Sequence, residues 1–412
     1  MATSRRRLSM PSFAVPLAAV TLLAGLGALA FPTARSHASG ASDAPVTGTA
    51  GLAVRAYVPG VAYDGAPAPP STCIDVAAWD SQRLAAETVV VPVQESDVRA
   101  VEEAVANGAG GVILFGSTAP GDLRTQIDSL ESAVPGQLGL LVMTDEEGGG
   151  VQRMANLVGN LPWPRDMAAM WTPEEITANV EAVAKTMAGY GVNMNLAPVI
   201  DVDGSDVAPG SANPDGWRSF GGDTSVVTRD GIAFMKGLQA GGVIPVLKHF
   251  PGLGGATGNT DNGPAQTLPW ATLQETALPP FIEGIREGAP AIMISNAVVP
   301  GLTELPASLS PEAIQGELVD TLQFKGLILT DSLSAGAISA AGFSGPSAAV
   351  RAVGAGADMV LYGAGNSQAA IAQFHAIVSA ETSAVANGTL PRSRLVAAAT
   401  AALDARNVET CP

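Results

Sequence analysis

Lys248 and His249 close an apolar run, GGVIPVLKHFPG (241–252), and Asp331 follows another, LILT. Burying an ammonium at the end of such a run costs several kcal/mol unless an acid pairs with it or a ligand uses it. Lys248 therefore predicts an internal ion pair, a ligand contact, or both. Asp331 precedes Ser-Leu-Ser-Ala-Gly-Ala, a helix start, so it is either an N-cap or a carboxylate held for chemistry. TDEEGGGVQRM (144–154) sets three consecutive acids after a third apolar run, with three glycines behind them. Asp145 continues that run, so one of the three acids should face the same place as Lys248. The glycines let backbone approach a ligand closely. Arg218, in WRSFGGD (217–223), offers a guanidinium able to clamp a hydroxyl or carboxylate with two donors.

These residues need elements that bring them to one place. From about residue 85, short apolar runs recur, each ending in Gly, Asn or Asp and each followed by an Ala-rich segment of helical period. They are ETVVVPV (87–93), GGVILFG (110–116), LGLLVMTDEEGG (138–149), VNMNLAPVIDV (192–202), GGVIPVLKHFPG (241–252), AIMISNAVV (291–299), GLILTDSL (326–333) and ADMVLYG (357–363). Continuous apolar strands alternating with helices imply a parallel sheet covered on both faces. Eight such units predict an α/β fold, a closed (β/α)8 TIM barrel forming a single catalytic domain over 85–412. A doubly wound open sheet is the runner-up. The barrel is favoured because Asp145, Asp201, Lys248, His249, Asn296 and Asp331 all fall at or just past strand ends, which converge on one mouth in a barrel.

Composition narrows the partner. The chain has 412 residues, 47% apolar and 14% charged, with a formal charge of −17. That balance argues against nucleic acid and against an anionic membrane surface, and suits a neutral ligand. Residues 1–38 read as an export signal: Arg5, Arg6 and Arg7, then an apolar stretch over 13–31, then Ser36-His37-Ala38 for cleavage. SRRRLSM (4–10) is compatible with either twin-arginine or general secretion, and a retained anchor is the alternative to cleavage. Residues 39–84, rich in Gly, Ala, Ser and Pro, read as a linker. The expected product is secreted or held at the cell envelope, monomeric, and not inserted in the membrane after cleavage. Its two cysteines, Cys73 and Cys411, are expected to form one disulfide joining the ends of the exported chain. Two cysteines and three histidines make a structural zinc site improbable, and nothing in the sequence asks for a cofactor or a metal.

TDEEGGGVQRM, NLAPVIDV, RSFGGD, KHFPG and LTDSLSAGAI, in that order, resemble the ordered signature of family 3 glycoside hydrolases, in particular bacterial single-domain β-N-acetylhexosaminidases. The resemblance covers roughly residues 85–405. It implies a retaining mechanism with Asp331 as nucleophile. It also implies a carbohydrate substrate held by Asp145, Arg218, Lys248 and His249, with terminal N-acetylglucosamine of cell-wall (peptidoglycan) fragments as the expected sugar. A β-glucosidase, or a glycan-binding protein that has lost hydrolysis, are the alternatives.

Three departures bear on mechanism. Gly150 stands where the family has an arginine, and Leu253 where it has a histidine after KHFPG. The family also supplies a histidine proton donor from the loop after the fifth strand, held by an Asp two residues before it. That loop here, GGATGNTDNGPAQTLP (254–269), holds no histidine. The three histidines are His37, His249 and His375, the last within a helical stretch read as ordinary surface. Asp261 is the only ionisable residue of the loop. It is either the substitute general acid or a turn residue.

Overall fold

The structure is a computed structural model that describes residues 73–411. The expected export signal and residues 39–72 of the expected linker lie outside the described residues. Eight parallel strands form one sheet: Val89–Gln94, Gly111–Phe115, Leu141–Thr144, Met194–Asn195, Ile244–Phe250, Ala291–Ile294, Leu327–Thr330 and Val360–Leu361. The eighth pairs with the first through Val89↔Val360 and Val90↔Leu361. It meets the seventh at Leu329↔Met359, with Thr330 N–H donating to the Met359 carbonyl at 3.0 Å. The sheet therefore closes as the predicted barrel, and the open doubly wound sheet is excluded.

The strands are apolar throughout because both faces are covered. In the first strand Val90 points inward, to a core with Ile113, Met143, Met194, Val246 and Leu329. Val89, Val91 and Val93 point outward into a larger core shared with the helices. Ala402 of the last helix, Arg392–Asp404, also reaches the inner core. Just beyond that helix, Arg406 bonds the Gly110 and Gly139 carbonyls, which lie ahead of the second and third strands. The helix Arg392–Asp404 and Arg406 thus pack at the strand-start end.

Residues 74–84, assigned to the linker in the sequence reading, are part of this folded body. Ile74 pairs with Thr410, and the helix Ser81–Glu87 buries Leu84, Ala85 and Ala86. The Pro and Gly density that reads as linker stops at Ser71, and Asp80 caps the helix by accepting from Arg83 N–H at 2.8 Å. Cys73 and Cys411 are bonded, as expected.

Candidate active site

At the strand-end mouth a cavity of about 360 Å³ is lined by Asp145, Arg218, Lys248, His249, Asp261 and Asp331, so all six residues singled out in the sequence meet there. Lys248 and His249 lie in the last residues of the fifth strand, Asp145 and Asp331 directly after the third and seventh, and Arg218 and Asp261 in the loops that follow the fourth and fifth.

Lys248, 3% exposed, answers the question its sequence position raised. Its Nζ lies 3.0 Å from Asp145 Oδ1 and 2.6 Å from Glu147 Oε1. Arg218 binds Glu147 with two parallel bonds of 2.7 Å and also donates to the Pro214 carbonyl at 2.9 Å. Arg153 adds a contact to Asp145 at 3.6 Å while lying over the Phe115 ring. The result is a ladder of alternating charge, Arg153–Asp145–Lys248–Glu147–Arg218. Burial works to raise the Glu147 carboxyl, but Arg218 and Lys248 outweigh it and hold it well below the usual range. Burial likewise works to lower Lys248, and Asp145 and Glu147 reverse the sign, so Lys248 and Glu147 both stay ionised.

Of the three consecutive acids, Asp145 and Glu147 face the cavity while Glu146 turns away. Its carboxyl bonds Met154 N–H and Gln152 Nε2, and burial pushes it up to about 7. Glu146–Gly148 and Val151–Gln152 form a small antiparallel hairpin, whose period of two separates 146 from its neighbours. The glycines after them do not open the backbone to a ligand, as the sequence had suggested. They admit the indole of Trp163: a Cβ on Gly149 would lie 2.0 Å from that ring, and one on Gly150 2.9 Å.

His249 rests on Asp201, with Nδ1 2.7 Å from Oδ2. Asp201 also accepts from the backbone N–H of His249 and of Leu253. Burial, then Arg218, lowers His249 to about 4, so the imidazole is neutral near pH 7 with Nε2 left as its second polar atom. Burial pushes Asp201 up to about 7. Asp215 goes to about 8 through burial and the neighbouring Asp201, and neither of its oxygens has a hydrogen-bond partner among the described residues. Asp201, Asp215 and His249 each offer a ligand atom within 4.8 Å of the others, the one such cluster among the described residues. The set suits a cation poorly, because Asp201 already accepts from the backbone N–H of His249 and of Leu253 and contacts His249 Nδ1, and the Arg218 guanidinium lies 3.9 Å from Asp215.

Asp331 N–H donates to the Ile294 carbonyl at 2.9 Å, and its Oδ1 accepts from Ser332 N–H at 2.6 Å. Burial raises its pKa and the charge of Asp261 adds to the rise, while His249, Ser332 N–H and Lys248 oppose it. Asn296 steadies the segment by donating to the Ser332 carbonyl at 2.8 Å and accepting from Ser308 Oγ. Asp261 is exposed at the rim of the same cavity, its N–H bonded to Asn259 Oδ1 at 2.9 Å. Leu253, buried among Ala265 and Ala297, takes the place where the sequence signature carries a histidine. His375 lies on the surface beside Glu103, outside the cavity.

Sequence reasoning missed Arg153, Glu147, Asp215 and the support given by Asp201. Arg153 and Glu147 lie inside a motif it had already singled out. Asp215 lay in a Gly/Pro/Asp-rich loop whose composition reads as solvent-exposed.

A parallel barrel whose strand ends gather carboxylates, cations and an imidazole around one polar cavity is the build of an enzyme acting on a small polar substrate. Residues 84–404 match the family described as glycosyl hydrolase family 3 N terminal domain, and the chain belongs to that family and is a glycosyl hydrolase. It is 35% identical over 286 residues to a beta-hexosaminidase, LpqI, of Mycobacterium tuberculosis, a match spanning 67% of this chain and 71% of that one. The structure is similar to that of a family 3 glycosyl hydrolase from Mycobacterium smegmatis, with TM-score 0.70, 34% identity and coverage of 82% and 99%. A beta-N-acetylhexosaminidase from Beutenbergia cavernae matches with TM-score 0.70, 31% identity and coverage of 80% and 98%.

Proposed function

We propose that the protein is an exported, retaining exo-β-N-acetylhexosaminidase that removes terminal N-acetylglucosamine from cell-wall glycans. The observation that carries the mechanism is how the four carboxylates of the cavity are engaged. Asp145 and Glu147 are bound to Lys248, Arg218 and Arg153. Neither Asp331 nor Asp261 has an ion-pair partner among the described residues. Glycoside hydrolysis with retention needs one carboxylate at the anomeric carbon and one carboxyl at the glycosidic oxygen. Asp331 attacks the anomeric carbon and the C–O bond breaks. Asp261 protonates the departing oxygen, then as carboxylate takes a proton from the water that releases the sugar from Asp331. Asp145, Arg153, Arg218, Lys248 and His249 hold the ring hydroxyls and fix its orientation. The sugar is assigned by the names of the hexosaminidase relatives. Export is supported by the N-terminal pattern of arginines and apolar residues.

The test is a set of nitrophenyl β-glycosides, the N-acetylglucosaminide and glucoside first, with purified protein and Asp331→Ala. Release of nitrophenol from the N-acetylglucosaminide, abolished in the variant, is expected. Faster turnover of the glucoside would reassign the sugar. Sugar binding without turnover would make the protein a glycan-binding relative, a reading motivated by Leu253 and the histidine-free loop.

A further inference from the structure

The chain holds five tryptophans. Trp79, Trp171 and Trp270 pack against the hydrophobic core, whereas Trp163 and Trp217 are half-buried and join none of the core clusters. They meet each other instead, with ring centroids 6.0 Å apart and planes inclined at 59°. Apolar area kept in water forgoes about 25 cal/mol per Å². Two adjacent indoles outside the core are therefore not explained by folding alone.

Both rings are held in place. Trp163 lies on the Gly149–Gly150 corner of the hairpin, where any side chain at 149 would collide with it. Trp217 Nε1 donates to Asp206 Oδ1 at 2.8 Å, and its backbone N–H to the Val207 carbonyl at 3.0 Å. The pair also neighbours residues that line the cavity. The glycine corner under Trp163 joins Glu147 to Val151, which both line the cavity, and Trp217 is followed directly by Arg218.

The chemistry suits one kind of occupant. A β-linked pyranose with equatorial substituents presents C–H groups on its faces and hydroxyls around its edge. An indole offers a flat electron-rich face to such C–H groups. The exposed Asp206 beside Trp217 offers an acceptor to edge hydroxyls, and the chain's net charge of −17 favours a neutral ligand.

We propose that Trp163 and Trp217 form a second saccharide site on the rim, stacking on a sugar of the chain whose terminal residue occupies the cavity. The proposal rests on the glycosidase reading and adds to it a preference for oligosaccharides over monosaccharide derivatives.

The experiment compares wild type, Trp163→Ala, Trp217→Ala and Trp163→Phe on nitrophenyl N-acetyl-β-glucosaminide and on a β-1,4-linked N-acetylglucosamine tetrasaccharide. Loss of a stacked ring should lower kcat/KM on the tetrasaccharide about tenfold, mainly through KM, with the nitrophenyl substrate changed less than about twofold. Trp163→Phe should recover most of the loss. Equal losses on both substrates, or none on the tetrasaccharide, overturn the proposal. Binding of the tetrasaccharide to the Asp331→Asn protein, followed by tryptophan fluorescence, separates this result from failure of the glycosidase reading. If turnover is absent throughout, affinity that drops about tenfold on adding Trp163→Ala still supports the rim site. Affinity that is unchanged, or no binding at all, rejects it.

Discussion

The backbone N–H of Gly336 donates to the carbonyl of Asp261 at 3.0 Å, and the next N–H, of Ala337, donates to the Thr260 carbonyl at 2.9 Å. Asp331 is followed within the same short segment by Gly336, so these bonds tie the loop carrying one carboxylate to the segment carrying the other. Glycine is required at the junction: a Cβ at 336 would lie 2.7 Å from Asn262 C and from Gly263 N. Gly336→Ala should therefore displace Asp261 from the cavity rim.

If Asp261 is the acid, its removal should cost most where the leaving group is poor. Asp261→Asn is expected to slow hydrolysis of a natural disaccharide by about 10²-fold or more. Nitrophenyl glycosides, whose leaving group departs with little protonation, should suffer less. Gly336→Ala should show the same substrate pattern in milder form. Paired steady-state rates on the two substrates give the answer, and equal disaccharide rates for wild type and Asp261→Asn would remove Asp261 from the mechanism.

Asp331 must be ionised to act, and burial lifts its pKa. The acid limb of kcat/KM on a nitrophenyl glycoside should accordingly lie above the pH at which an exposed aspartate titrates, about 3.9. A limb at or below that pH in a pH–rate profile would contradict the effect of burial on Asp331.

Glu381 is fully buried. It meets Thr88 Oγ1 at 3.0 Å, has no partner on its other oxygen among the described residues, and is raised by burial to about 8. A carboxyl raised in the folded state binds its proton more tightly there than when unfolded. Its contribution is intact below the unfolded pKa of about 4.5 and is lost as pH rises toward 8. The loss is at most about 1.4 kcal/mol per pH unit in that window. Thermal melts from pH 5 to pH 8 should show a fall in Tm that Glu381→Gln flattens; parallel pH dependences would dismiss the idea.

The Cys73–Cys411 bond closes nearly the whole folded chain into one loop, with a sequence separation of 338. Replacing both cysteines with serine should cost about 2–5 kcal/mol of stability. The cavity lies elsewhere, so activity at 25 °C should persist. Denaturant titration with a parallel activity assay tests both halves, and loss of activity without loss of stability would contradict the second.

The barrel was legible because its signal is local. Val89 to Val93 alternate between two apolar environments, and that pattern can be read without knowing what lies opposite. The placement of Lys248 and Asp331 just past apolar runs was legible for the same reason, since strand ends in a barrel share one mouth. The linker boundary was misplaced where composition was the only guide and a short capped helix followed.

What the sequence alone determined is therefore the eight-stranded scaffold, the set of residues at its mouth and the lack of a histidine in the 254–269 loop. Only the tertiary structure decided how those residues are engaged. Lys248 meets Asp145 and Glu147, and Arg218 meets Glu147, across wide gaps in the chain, which leaves Asp331 and Asp261 without an ion-pair partner among the described residues. It likewise buried Asp215 and set Trp163 on the glycines of the hairpin. The physical reason is that hydrophobic period is written along the chain. Ionisation, hydrogen bonding and ring contact depend instead on through-space distances of a few ångströms, and those are set by how separate loops fold onto one another.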